Sequence, residues 1–157
     1  MAMIRRATIA DIPSLQKLLG QVLEIHAAIR PDLFKSGTRK YTFEELQAIL
    51  ADGDKPVFVS EEDGQVLGYA FCQRQRPAFS TTMVPHDTLY IDDLCVDENA
   101  RGQHIGSQIF DHVKQYAKDN GYYNITLHVW EGNDSARSFY EKSGFGYQSF
   151  TMEMIVK

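Results

Sequence analysis

Apolar positions along the chain change their spacing several times, and each change marks an element. A short strand runs roughly from Met3 to Thr8, and Asp11 is a candidate N-cap with Pro13 in the first helical turn. Leu15, Leu18, Leu19, Val22 and Leu23 then share one helical face, and that helix must end before Pro31. Thr42 and Glu45 have the T-x-x-E spacing of a capping box, opening a second helix with Leu46, Ile49 and Leu50. "PVFVSEEDGQVLGYAFCQRQ" reads as two strands joined at Asp63-Gly64, a strong hairpin signal, and "DTLYIDDLCV" as a third strand. Ile105, Ile109, Val113 and Ala117 return to the helical rhythm until Asn120-Gly121 caps it. "NITLHVW" is a strand, Asn133 to Ser143 a helix stopped by Gly144, and Tyr147 to Val156 a final strand. The order β-α-α-β-β-β-α-β-α-β predicts an α/β fold: a mixed, mostly antiparallel central sheet with helices on both faces.

Composition narrows the setting. The 157 residues fit one domain, 1–157, long enough to bury about two-thirds of the unfolded surface. Hydrophobic content of 43% and charged content of 24% are ordinary for a soluble globular protein. A formal charge of −5 argues against a nucleic-acid partner and leaves room for an acidic pocket that attracts cations. No apolar run has the length of a signal core or a membrane span, so a cytoplasmic protein with no membrane partner is expected. Cys72 and Cys95 lie in strand-like runs without CxxC spacing and read as reduced core thiols. No His/Cys/Asp cluster has metal-ligand spacing, so no metal is expected.

The stretch "VDENARGQHIGSQIF" carries the candidate chemistry. It feeds a helix N-terminus, where about four N–H groups lack intrahelical partners and the macrodipole favours an anion. Gly102 and Gly106 let backbone approach an oxygen-rich ligand, and Arg101 adds a fixed charge. A P-loop would need GxxxxGK followed by Ser or Thr, and a Rossmann fingerprint GxGxxG after the first strand; neither fits. The competing reading is a surface turn shaped by Arg101 and Gly102.

Two motifs carry a family resemblance. Arg101, Gly102, Gln103, His104, Ile105 and Gly106 resemble the acetyl-CoA loop of the GNAT superfamily of N-acetyltransferases, Q/R-x-x-G-x-G/A, departing where His104 stands at a usual glycine. "NDSARSFYEKSGF", Asn133 to Phe145, resembles the second signature of that superfamily, N-x-x-A-x-x-F-Y-x-x-x-G-F, with every named position filled. The resemblance implies a V-shaped cofactor opening between two parallel strands, one ending at Val96 and one near Trp130. Acetyl-CoA would lie in it, its pantetheine arm along Leu94, Cys95 and Val96, and its pyrophosphate on the N–H groups from Gly102 to Ser107. Asn133 would cap its helix or contact coenzyme A.

Acetyl transfer to an amine needs a neutral amine, a stabilised oxyanion and a proton for the departing thiolate. An alkyl ammonium has a pKa near 10, so a base must remove its proton. The resemblance assigns thiolate protonation to Tyr140; the competing reading makes Phe139-Tyr140 simply core. Asp92 and Asp93 resemble the acidic pair of diamine and thialysine N-acetyltransferases, which implies Asp92 as base and Asp93 as anchor of a cationic amine. By strand alternation, unless a bulge intervenes, Asp92 shares a face with Tyr90, Leu94 and Val96, and Asp93 faces the other way. A salt bridge to Arg74 or Arg76 is the structural alternative. His128 stands where some relatives carry a catalytic glutamate, and His26 and Arg30 lead toward the acceptor region. The expected activity is direct acetyl transfer to a primary amine, a small cationic one first. A protein lysine or N-terminal amine, or a non-catalytic CoA-binding sensor, are the alternatives, and the last strand offers an edge for a homodimer.

Overall fold

A computed structural model describes residues 2–157. The elements are β1 (Met3–Arg6), α1 (Ile12–Ile29), α2 (Phe43–Ala51), β2 (Val57–Glu62), β3 (Gln65–Gln75), β4 (Thr88–Val96), α3 (Ile105–Asp119), β5 (Asn124–Leu127) and α4 (Asp134–Lys142). They build one five-stranded sheet in the order β1-β2-β3-β4-β5. Every neighbouring pair is antiparallel except β4 with β5, which run parallel.

Period-two alternation sends each strand's side chains to two different cores. Phe58, Ala70, Cys72, Leu89 and Ile91 pack under α3 with Ile105, Ile109, Phe110 and Val113. Val57, Val59, Tyr69, Phe71 and Cys95 face the other way and meet Leu15, Leu18 and Leu19 of α1 and Leu46 of α2. Helices therefore cover both faces, as the pattern of periods predicts. Gly68 leaves no room for a side chain between β4 and α3: a Cβ there would stand 2.7 Å from the Cys95 carbonyl and 2.9 Å from Ile109.

Local chemistry fixes the ends of most elements. The Thr42–Glu45 capping box forms in both directions, at 3.1 and 3.0 Å. Asp63 and Gly64 both take positive φ, 52° and 79°, as a two-residue hairpin turn requires. Asp11 precedes α1 but its side chain does not cap that helix. Its carboxylate instead accepts from the Arg5 guanidinium at 2.8 and 2.9 Å and from the Thr8 N–H at 2.7 Å, so the ion pair outcompetes the cap.

Two strands differ from expectation. β5 stops at Leu127 rather than continuing to Trp130. Tyr147 to Val156 forms no strand: the segment joins no ladder, and its residues lie exposed. A strand exists only with a partner for its N–H and C=O groups, and none of the described residues supplies one here.

Candidate active site

The sheet opens between β4 and its edge strand β5. β4 and β5 pair from Thr88↔Asn124 to Ile91↔Leu127 and no further, so Asp92 to Val96 keep only β3 as a neighbour. The wedge left between the two strands points at the N-terminus of α3. Asp97 holds the intervening loop to α1, accepting from Gln21 and Lys17 at 3.4 Å each and from the Asn99 N–H at 3.1 Å. The Asn99 N–H is the main cause of an Asp97 pKa below the usual carboxylate range.

The loop itself turns through two left-handed residues. Gly102 has φ +82°, which costs glycine nothing. His104 has φ 61° and ψ 20° and stands as the N-cap of α3. The non-glycine residue thus reaches the backbone shape that the resemblance expects of glycine, at a cost of about 1 kcal/mol. Arg101, Gln103, His104 and Ser107 are exposed. The Ile105 side chain is buried under the sheet, so only its N–H faces the loop. The first intrahelical bond runs from the Gln108 N–H to the His104 carbonyl, leaving the N–H groups of Ile105, Gly106 and Ser107 without helical acceptors. A Cβ on Gly106 would meet the Phe139 ring at 3.4 Å and Val96 at 3.5 Å, so α3 lies close to both β4 and α4. From Ser107 a groove lined by Phe110, Asp111, Phe139, Lys142 and Ser143 runs between α3 and α4. Free donors, an exposed cation and an open wedge fit a long polyanionic ligand of the coenzyme A kind. Asn133 accepts from the Ala136 N–H at 3.3 Å and so caps α4.

On β4 the residues flanking the wedge divide by face. Leu94 and Val96 pack toward α3, whereas Cys95 is buried toward α1 with its Sγ 3.8 Å from the Leu18 carbonyl. Cys95 could touch a ligand only through its main chain. Burial pushes both thiols, Cys72 and Cys95, up to about 12, so they stay protonated at neutral pH.

The acidic pair departs from regular alternation, because a bulge does intervene. Phe71 pairs with Asp93 but Cys72 with Ile91, leaving Asp92 as the extra residue. Both carboxylates consequently face α1 and α2, and Asp92 does not share the face of Leu94 and Val96. Asp92 Oδ2 accepts from the Lys40 ammonium at 2.8 Å and from the Tyr41 hydroxyl at 3.0 Å. Asp93 Oδ2 accepts from the Tyr69 hydroxyl at 2.7 Å. Enclosure raises the Asp93 pKa to about 6, against the lowering effects of Tyr69 and Lys40. Neither acid is locked to Arg74, which pairs with Asp54 and Asp87, nor to Arg76, which pairs with Asp87.

The remaining candidates gather round this pair, with one exception. The Tyr140 hydroxyl has no hydrogen bond among the described residues, and its ring packs on Phe139 and Phe145. Burial, then the nearby charge of Asp93, raises its pKa, so the phenol keeps its proton. His128 Nδ1 lies 2.9 Å from the Tyr90 hydroxyl, bridging β4 to the chain beyond β5. His26 is lowered by burial and by Lys40, and its ring stands 5.2 Å from Phe34, which in turn meets Trp130. Arg30 is the exception: it pairs with Asp32 and Glu153 and lies 5.8 Å over the Trp130 ring, at the rim. Among the described residues no group of three His, Cys, Asp or Glu is placed to hold a metal ion, and no helix is long and apolar enough to cross a membrane. Lys40, Tyr41 and Tyr69 are the residues that sequence reasoning missed. The only signal for the first two was their place just before the Thr42 cap, which fixes where they enter the site.

Comparison with known proteins agrees with this geometry. Residues 21–145 match the model of the acetyltransferase (GNAT) family. The chain is 29% identical over 143 residues to an uncharacterized N-acetyltransferase of Bacillus subtilis, YhfO, covering 90% of this chain and 88% of that protein. A crystallised mutant of the BH1408 protein from Bacillus halodurans superposes with a TM-score of 0.93 at 33% identity, over 99% of each chain. Glucosamine-6-phosphate N-acetyltransferase of Arabidopsis thaliana shares the fold, with a TM-score of 0.72 at 23% identity over 100% of this chain and 99% of that one. With both motifs at the wedge and most of the chain matched, the protein belongs to the GNAT family and is an acetyltransferase.

Proposed function

We propose that the protein moves the acetyl group of acetyl-CoA directly onto a primary amine of a small cationic molecule. The observation that carries this reading is Lys40. A primary ammonium of the chain itself sits 2.8 Å from Asp92, with the Tyr41 hydroxyl on the same oxygen and the Tyr41 ring 5.4 Å from the nitrogen. Carboxylate, phenol and aromatic face together make a receptor for a second ammonium.

The cofactor half acts mainly through backbone. The N–H groups from Gly102 to Ser107 and the Arg101 side chain would hold the pyrophosphate, Leu94, Cys95 and Val96 would line the pantetheine arm, and Asn133 would flank the opening. When bound, acetyl-CoA supplies an activated acetyl thioester. In the acceptor half the bulge exchanges the two acids' expected roles. Asp92 anchors the cationic tail, a part that Lys40 already plays. Asp93, with its pKa of about 6, is ionised above neutrality and takes the proton from the attacking ammonium. Tyr69 orients the Asp93 carboxylate. Tyr140 keeps a phenolic proton with no competing acceptor, available to the departing sulfur. His128 with Tyr90, and His26 with Phe34, wall the acceptor pocket, and Arg30 closes its rim. Protonated, buried thiols leave no cysteine to carry the acetyl group, which favours direct transfer. The reading places the enzyme in the cytoplasm, where thiols such as Cys72 and Cys95 stay reduced.

The test is a panel of amines assayed by release of free thiol. Diaminobutane should exceed butylamine in kcat/KM by about tenfold or more, as a partly screened second charge predicts. Asp92→Asn should remove that preference through KM, and Lys40→Met should lower the diamine KM by up to about fivefold by vacating the carboxylate. Equal kcat/KM for the two amines, or a preference only for peptide lysines, would refute the small-cation reading.

A further inference from the structure

A lysine of the chain itself stands beside the acids assigned to the acceptor. β4 leaves β5 after Ile91 and Asp92 is the next residue, so the two acids of the bulge lie at the narrow end of the wedge. Lys40 brings its ammonium there, 2.8 Å from Asp92 Oδ2, and its charge also acts on Asp93 and on His26. The segment carrying Lys40 is held on both sides. Glu24 of α1 accepts from the Ser36 hydroxyl at 2.7 Å and from the Gly37 N–H at 2.6 Å. Tyr41 packs on Phe71, ring centroids 5.9 Å apart, and the Thr42 cap then begins α2.

That placement does little for the fold. The Lys40 side chain is long and half exposed, and an ion pair of that kind adds little stability. What it does supply is a primary amine beside a proton acceptor. Lys35 and Lys55, by contrast, lie exposed on the surface. The four-carbon stem of Lys40 is flexible enough to turn its nitrogen from Asp92 toward the wedge.

We propose that Lys40 is a self-acetylation site: the chain transfers an acetyl group from acetyl-CoA to its own lysine. The proposal rests on the acetyl-CoA reading above. The Lys40 ammonium gives one proton to the Asp93 carboxylate and, no longer charged, leaves Asp92. Its nitrogen lone pair forms the C–N bond to the thioester carbonyl carbon, and the C–S bond breaks. The departing sulfur takes the phenolic proton of Tyr140, and a second proton from the nitrogen restores the phenol. Asp93 then releases its proton to solvent. The products are an amide at Lys40, the free thiol of coenzyme A and one proton. With a pKa of about 6, Asp93 is ionised above neutrality and able to begin this sequence. The amide carries no charge, so Asp92 is left free for the cationic tail of a diffusing amine. Self-acetylation would thus remove the chain's own occupant from the acceptor site.

The test incubates the full chain with acetyl-CoA and no amine, and follows each lysine by peptide mass. Lys40 should gain one acetyl group at least about tenfold faster than Lys35 or Lys55, because its nitrogen is held beside the reacting groups. The rate constant should not depend on protein concentration, as a transfer within one chain requires. Asp93→Asn should bring Lys40 down to the rate of the exposed lysines. The comparison among lysines of the unchanged chain supplies the answer if that variant fails to fold. Lys40 modified no faster than Lys35 and Lys55, or at a rate constant that rises with protein concentration, would overturn the proposal. Thiol release with diaminobutane while Lys40 stays unmodified would sink self-acetylation alone and leave the transfer to a small amine standing. Lys40 modified without turnover of diaminobutane would do the reverse, and failure of both would remove the acetyl-transfer reading of this site.

Discussion

The two halves of the site are made from different materials. The proposed cofactor half, from Arg101 to Ser107, is contiguous in sequence and offers N–H groups at the start of α3, with Gly102 and His104 setting the turn. The proposed acceptor half gathers side chains from the segment before α2, from β3, from the β4 bulge and from α4. A backbone site binds one shape of anion and tolerates changes in most of its side chains. A side-chain site selects among ligands and is sensitive to single atoms. The two halves should therefore fail differently when mutated.

The largest effect is expected in the acceptor half, from Asp93→Asn. Asparagine keeps the Tyr69 hydrogen bond but cannot take a proton, so kcat should fall about 10² to 10⁴-fold. Stability should move the other way. In the folded protein Asp93 has a pKa of about 6, above an ordinary aspartate value near 3.8. Between those values the folded state binds more protons than the unfolded, so stability falls as pH rises through that window. Above pH 6 the enclosed carboxylate is a net cost of up to about 3 kcal/mol. Asp93→Asn should thus be more stable than the unchanged protein at pH 7.5, with the gain vanishing toward pH 4 in urea titrations. A variant that loses both activity and stability at pH 7.5 would make Asp93 a structural acid.

The contrast also decides what could be read in advance. The helix faces, the Thr42–Glu45 cap and the Asp63-Gly64 turn are local, so periodicity and short spacing reveal them. The motif at the start of α3 is equally local, legible as an anion site from its residues and as a cofactor loop through its family resemblance. The β4 bulge is not local. It follows from fitting "YIDDLCV" against β3 while Leu89 and Ile91 stay under α3 and Cys95 goes under α1. No alternation within one strand announces it, and with it goes the facing of Asp92. Lys40 and Tyr41 showed only their place before the Thr42 cap, for a similar reason, since what they meet depends on where α2 docks. The expected final strand was legible as a pattern of alternation, but pairing requires a partner that the pattern cannot supply.

A middle-sized effect should come from the one tight point of the cofactor half. A Cβ on Gly106 would lie at ordinary contact from Phe139 and Val96, 3.4 and 3.5 Å. Gly106→Ala should therefore change acetyl-CoA affinity by no more than about threefold. Gly106→Val adds two methyls with nowhere to go and must push α4 or β4 aside, typically at 1–3 kcal/mol. Calorimetry should show acetyl-CoA binding weakened about ten- to a hundredfold, with the diamine preference unchanged. If alanine and valine weaken binding alike, backbone access rather than packing sets the limit at Gly106.

The smallest effect belongs to the residue that departs most openly from the family motif. His104 holds φ 61° with a Cβ, a conformation glycine adopts freely, and its exposed imidazole caps nothing. His104→Gly should relieve the left-handed strain, worth about 1 kcal/mol, and offset part of that gain through the greater freedom of the unfolded chain. The net change in melting temperature should be within about 2 °C, upward. Affinity for acetyl-CoA then distinguishes two uses of the imidazole. If the loop binds by backbone alone, the glycine variant should bind within about twofold of the unchanged protein. If the imidazole donates to a phosphate oxygen, the same change should weaken binding by about tenfold. Unchanged affinity is the expected result, since a site built from N–H groups should be indifferent to the side chain that shapes its turn.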